Sequence, residues 1–217
     1  MIDIYSDIEE CIKAGDVENI ERLISHAVKT KYPVQMILEQ GLIKGIDSTT
    51  NELENGNLTV PEVLISSMTM QAGMEALKPF LCKNKKIEHK ALIGTVEGDI
   101  HDLGKDIVKV LVESIGIEVI DLGVDVPVNE FIKKVKDEKP DILLISGLLT
   151  TTINEMDKII KELVKHKLRK DIVIFIGGKS IDKAFCDSIG ADYYFESAIE
   201  LRKFITKNID SFTHKKK

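Results

Sequence analysis

The chain has 217 residues, a size that fits one large domain or two small ones. Its 30 basic and 36 acidic side chains leave a formal charge of -6, which argues against a nucleic-acid-binding surface as its main business. Hydrophobic residues at 43% and charged residues at 30% match a soluble globular protein, and no apolar run approaches the length that spans a bilayer.

The N-terminus, MIDIYSDIEE, has neither a basic n-region nor an apolar h-region, so no secretory signal is read there and the expected compartment is the cytoplasm. Residues 1 to about 82 read as helices. Ile4, Ile8 and Ile12 recur every fourth position, and Val17, Ile20, Leu23, Ile24, Ala27 and Val28 follow the 3.6-residue period. A third helix starts at Pro33, carries Val34, Ile37, Leu38, Leu42 and Ile46 on one face, and ends near residues 54–57. Thr59 and Glu62 have the capping-box spacing with Pro61 in the first turn, and the helix behind them carries Val63, Leu64, Ser67, Met68, Met74 and Leu77. Four or five such helices with short joints predict a small antiparallel bundle. Residues 83–90, KNKKIEHK, are charged and poor in apolar side chains, and read as a linker.

After the linker the rhythm changes. Short apolar runs at 91–96, 117–122, 142–146, 172–176 and 191–195 alternate with helical patterns at 105–114, 129–137, 153–167, 181–189 and 198–207. Strict strand–helix alternation predicts a five-stranded parallel sheet covered by helices on both faces, a Rossmann-like (flavodoxin-like) α/β domain behind the bundle. Ligands of such sheets bind at the loops following the strands' carboxyl ends. Cys11, Cys82 and Cys186 are odd in number and far apart, without metal-ligand spacing, and read as reduced core thiols. The absence of tryptophan and an aromatic content of 5% leave little for stacking single-stranded nucleic acid.

The first of these loops reads Glu97-Gly98-Asp99-Ile100-His101-Asp102-Leu103-Gly104. An aspartate that accepts a hydrogen bond from one imidazole nitrogen fixes the tautomer and raises the basicity of the other, which suits that nitrogen to a metal. Gly104 lets another group approach the helix that follows. The same turn could instead simply cap that helix. The third loop, Ser146-Gly147-Leu148-Leu149-Thr150-Thr151-Thr152, crowds small and hydroxyl-bearing residues at a buried strand's end, as a pocket wall or an ordinary N-cap cluster would. The fourth, Gly177-Gly178-Lys179-Ser180, leaves room for a ligand against the backbone. It is no phosphate-binding loop, since that motif needs glycine where Val173 stands, and no G-x-G-x-x-G follows any strand. His26, His89, His166 and His214 each lack a second ligand nearby in sequence and read as surface or core residues.

Together the loops resemble the cobalamin-binding domain of corrinoid-dependent methyltransferases, whose pattern is D-x-H-x-x-G, then S-x-L, then G-G. Here it runs Asp99-x-His101-x-x-Gly104, Ser146-x-Leu148 and Gly177-Gly178, each after the expected strand. The stretch TVEGDIHDLGKDIV is similar to the equivalent segment of cobalamin-dependent methionine synthase, and NGNLTVPEVLISS and MEALKPF look like the helical cap that precedes the domain in the family. The layout is that of the small corrinoid proteins of methyl-transfer systems serving methylamines, methanol, betaines or methoxylated aromatics.

The resemblance implies a cap domain at 1–88 and a cobalamin-binding domain at 89–217, with cobalamin or a related corrinoid as cofactor, cycling between methylcob(III)alamin and cob(I)alamin. His101 would be the lower axial ligand to cobalt, displacing the cofactor's own base. Asp99 would hydrogen-bond His101, and Thr152 would continue the relay. Gly98, Ile100, Asp102 and Gly104 belong to the same cofactor-binding loop. Ser146, Leu148, Thr150, Gly177, Gly178 and Ala198 match positions around the buried nucleotide tail. Glu39 matches a cap glutamate near the corrin, and Leu53, Val60 and Val63 match cap positions over the upper cobalt face. Lys179, Ser180 and Cys186 depart from common relatives.

The expected role is a methyl carrier that turns over no donor alone, with the linker as hinge. Its implied partners are a substrate-specific corrinoid methyltransferase, a second methyltransferase of tetrahydrofolate or thiol type, and a reductive activating protein, with no nucleic acid and no membrane. Two rivals share the motifs. One is a cobalamin or light sensor, which usually carries a fused DNA-binding module for which this chain leaves no stretch. The other is the small subunit of an adenosylcobalamin mutase, against which the methionine-rich cap argues.

Overall fold

The structure, a computed structural model, describes residues 3–81 and 89–212. It divides into two compact units, Met1–Lys83 and Asn84–Lys217. Cys82, His214 and most of the expected linker lie outside the described residues. His89 and Lys90, read as the linker's end, belong to the second unit. His89 is buried with Nδ1 3.2 Å from Asp141 Oδ2, and Lys90 opens the first strand.

The first unit is helical: α1 (Ile4–Lys13), α2 (Val17–Lys29), α3 (Val34–Met36), a π-helical segment (Ile37–Ile43), α4 (Lys44–Glu54) and α5 (Val60–Leu81). Asp3 caps α1 and Asp16 caps α2, each carboxylate accepting a backbone N–H of the first turn. Ile4, Ile8, Ile12, Ile20 and Ile24 form the core with Ile37, Leu38, Leu42, Met70 and Leu77. Gly41 in the π segment and Gly45 in α4 let these elements lie directly on α1. A Cβ at Gly41 would stand 2.8 Å from Ile8 Cγ2, and one at Gly45 2.9 Å from Ile12 Cδ1.

Two readings of this unit need correction. The helix expected from Pro33 onward is interrupted by a π segment, which the apolar spacing did not show. In α5 the apolar residues Leu64 and Met68, assigned to the packed stripe, are about 60% exposed, as is Val60. Met74 and Leu77 are buried as read, and the rest of the buried face carries Ser66, Thr69, Met70 and Gly73. The capping box is half formed: the Glu62 carboxylate accepts from Thr59 N–H at 2.7 Å and from the Thr59 hydroxyl at 2.6 Å.

The second unit is the expected α/β domain. Strands β1 (Lys90–Thr95), β2 (Glu118–Asp121), β3 (Ile142–Ser146), β4 (Val173–Gly177) and β5 (Tyr193–Tyr194) pair in parallel in the order β2-β1-β3-β4-β5. This is the flavodoxin-like winding. Helices α7 (Val128–Glu138) and α8 (Asn154–Lys165) bury Phe131, Ile132, Ile159 and Leu163 against Leu92, Leu143 and Ile174 on one face. Helices α6 (Leu103–Glu113) and α10 (Ala198–Phe212) cover the other, packing Val112, Leu201 and Ile205 on Ile93, Leu144 and Phe175. The short α9 (Lys183–Ile189) joins β4 to β5. Cys11 and Cys186 are buried free thiols, as read, and burial pushes the Cys11 thiol up to about 11. No described helix is long and apolar enough to cross a membrane.

Candidate functional site

The chain winds from β1 outward to β2, then returns to β3 on the other side of β1. The crevice at the carboxyl ends of β1 and β3 is therefore the switch point at which such sheets bind ligands. The two loops that leave there are the Asp99–His101 loop and the loop of residues 147–153. Thr95, Ser146 and Gly177 stand in one register across the strand ends.

Asp99 is fully buried between these loops. Its Oδ1 lies 2.6 Å from His101 Nδ1 and accepts the His101 backbone N–H at 3.0 Å. Its Oδ2 accepts the N–H groups of Leu148 at 2.6 Å and Leu149 at 3.2 Å. Burial pushes the Asp99 carboxyl up, but these hydrogen bonds, led by that of Leu148, outweigh it and hold the group below the usual value of 3.8. The carboxylate can only accept, so His101 Nδ1 donates and Nε2 keeps its lone pair. The His101 side chain is half exposed, and the buried Thr95 hydroxyl donates to its backbone carbonyl at 3.1 Å. The ring is thus fixed at one nitrogen and open at the other.

The helix-cap alternative does not describe this loop. Asp102 occupies the N-cap of α6 without a side-chain cap bond, and the Asp99 carboxylate is spent on His101 and the third loop. Exposed Ile100 and Leu149 flank the histidine loop with apolar surface, and no heavy atom lies within 4 Å of the place a Gly104 Cβ would take. One imidazole with an open nitrogen suits a metal whose other positions a flat ligand fills. Among the described residues no three His, Cys, Asp or Glu groups converge to hold a bare ion. A single imidazole with an open nitrogen fits the corrinoid that the sequence resemblance implies.

The Thr152 hydroxyl donates to the Leu149 carbonyl at 3.1 Å, beside the two amides that Asp99 Oδ2 accepts. Gly178 stands at φ +147, and a Cβ there would collide with the Gly147 carbonyl oxygen. The bare backbone at Gly178 thus lets the third and fourth loops lie against each other. Ser180, one of the departures, donates to the Leu148 carbonyl at 2.6 Å, so Leu148 is gripped by Asp99 on its N–H side and by Ser180 on its C=O side. Ser146 and Leu148 are half-buried, Thr150 is exposed, and Ala198 opens α10 behind β5. Glu39 sits in the π segment of the helical unit, where Gln35 Nε2 donates to its carboxylate at 2.5 Å.

Sequence reasoning missed the second loop. Asp125 Oδ1 accepts the Gly98 N–H at 2.6 Å, and Asp125 N–H donates to the Asp99 carbonyl at 2.9 Å. At the loop's base, Asp121 accepts from Lys105 Nζ at 2.9 Å, Lys109 Nζ at 3.1 Å and the Gly123 N–H at 2.9 Å.

A flavodoxin-like sheet with a histidine and its buried carboxylate at the switch point defines a B12-binding protein. A family model described as a B12 binding domain matches residues 89–202, and a second with the same description matches residues 4–78. The chain is 40% identical over 203 residues to trimethylamine corrinoid protein 1 of Methanosarcina acetivorans, covering 92% of this chain and 94% of that one. The structure resembles that of the monomethylamine corrinoid protein of Methanosarcina barkeri with a TM-score of 0.87 at 29% identity, covering 94% and 97% of the two chains. It also resembles, at a TM-score of 0.54 and 25% identity, a chain of the methanol:cobalamin methyltransferase complex of the same organism, covering 97% and 81% of the two chains. The chain belongs to the family of small corrinoid proteins of methyltransferase systems, and its cofactor is cobalamin or a related corrinoid.

Proposed function

We propose that the chain carries a methyl group on corrinoid cobalt, with a methylamine as the donor class, between a donor-specific corrinoid methyltransferase and a second methyltransferase in the cytoplasm. A reductive activating protein would return oxidised cofactor to use. The trimethylamine and monomethylamine corrinoid proteins among its relatives support the donor class, and the methanol:cobalamin methyltransferase complex supports the pairing with a methyltransferase. The observation that carries the proposal is the 2.6 Å Asp99–His101 contact beside the switch point, with Nε2 left open.

His101 Nε2 would be the axial ligand, and Ser146, Leu148, Thr150, Gly177, Gly178 and Ala198 would line the tail groove. Bound corrinoid would supply a cobalt that can take up and pass on a methyl group. Asp99 stays a carboxylate and stabilises His101 whether Nε2 holds metal or a proton. Ile100 and Leu149 would pack beneath the ring system and exclude water. Residues 1–88 would act as the cap, with Glu39, Leu53, Val60 and Val63 near the corrin. The exposed apolar side chains of Val60, Leu64 and Met68 on α5 support that role.

The test is reconstitution of the full chain with hydroxocobalamin, reduction to the Co(II) state, and electron paramagnetic resonance. Nitrogen coupling from a histidine ligand is expected, and His101→Ala should bind corrinoid without it. An identical spectrum in that variant sinks the ligand assignment. Methyl loading from tri-, di- and monomethylamine with their respective methyltransferases then decides the donor.

A further inference from the structure

The structure assigns Asp125, in the loop between β2 and α7, as a positioning residue for His101; the inference rests on reading His101 as the cobalt ligand. Asp125 holds residues 98 and 99 from both sides, its carboxylate accepting the Gly98 N–H at 2.6 Å and its own N–H reaching the Asp99 carbonyl at 2.9 Å. Both ends of that grip sit in left-handed backbone, Gly98 at φ +80 and Asp125 at φ 53. Glycine would meet the backbone demand at 125 with less strain, so what aspartate adds there is the acceptor. Asp125 is exposed, and a solvated carboxylate gains little from general electrostatics.

The loop that carries Asp125 is itself anchored. Thr95 N–H donates to the Gly123 carbonyl and Val126 N–H to the Thr95 carbonyl, both at 3.0 Å, so the loop extends the β1–β2 pairing past the strand ends. Lys105, almost fully buried, ties its base through Asp121. Asp125 passes that rigidity to the main chain of Asp99. Asp99 then has its carbonyl held from the second loop, Oδ2 fixed from the third, and Oδ1 left to orient the imidazole. A turn of the Glu97–Gly98 peptide, whose N–H the Asp125 carboxylate accepts, would shift Gly98 and with it the Asp99 carboxylate against its partners. Asp125 thus acts on the ligand through Asp99 without touching it.

The full chain and its Asp125→Gly and Asp125→Asn variants are loaded with hydroxocobalamin and reduced to Co(II). The ratio of histidine-coordinated to uncoordinated cobalt is read by paramagnetic resonance, at the pH where the unsubstituted chain shows both forms. D125G should lower the ratio about tenfold, the size expected for one hydrogen bond to a charged acceptor, and D125N, whose side-chain oxygen still accepts, should restore it to within about twofold. A ratio unchanged in D125G, or lowered equally in both variants, overturns the inference. In the unloaded protein, hydrogen exchange of the Gly98 amide should accelerate about tenfold in D125G, and unchanged protection overturns the inference whether or not that variant loads. An unsubstituted chain whose spectrum matches that of His101→Ala points to failure of the ligand assignment itself, which separates that failure from this one.

Discussion

Asp99 carries more of the site than any other side chain, because one buried carboxylate joins the histidine to the neighbouring loop. Its folded value lies below the usual 3.8, so its contribution to stability is complete above that value and is lost as the pH falls through the lowered one. Asp99→Asn should cost about 2–4 kcal/mol near neutrality, since an amide cannot accept all four hydrogen bonds as well. The gap in Tm between the two unloaded proteins should close on acidification below about pH 4. A gap that stays constant down to about pH 2 would contradict this, and thermal melts across that range decide it. Asp99 and His101 were legible because their spacing after a strand carries a chemical meaning. Asp125, Thr95 and Ser180 were not. Each acts through a backbone group of another loop, and which loops meet depends on strand order, which sequence periodicity does not encode.

The helical elements show where periodicity runs out. Leu38, Leu42 and Ile46 repeat every fourth residue, but so do Ile4, Ile8 and Ile12 in the regular α1, so the π segment between Ile37 and Ile43 had no separate signature. What marks it physically is contact: Gly41 and Gly45 present bare backbone to Ile8 and Ile12. Gly41→Ala should destabilise the protein by about 1–3 kcal/mol through overpacking, although alanine is the better helix former; a denaturant midpoint unchanged or raised would refute the close fit. In α5, an apolar side chain reads the same whether it meets a neighbouring helix or is left outside, so Leu64 and Met68 were assigned to the packed face. The α/β unit was far easier to read, since strands buried between two helical layers are nearly continuous apolar runs bounded by glycine and charge.

At the scale of the whole chain, the proposed division of labour gives a direct comparison. Residues 89–217 alone should take up hydroxocobalamin with histidine coordination, because among the described residues the ties to Asp99 and His101 lie within that unit. Lacking the proposed cap, the fragment's reduced cobalt should reoxidise in air at least several-fold faster than in the full chain, followed by absorbance after reduction. Equal rates would remove the protective role from residues 1–88. The ties among the loops also bear on how relatives can diverge. The serine at 180 holds the carbonyl side of a peptide whose amide side feeds Asp99. Loss of that one hydroxyl would slacken the Leu149 amide at Asp99, while leaving the D-x-H signature untouched. Position 180 would therefore act on the proposed cobalt ligand through Asp99, from two strands away.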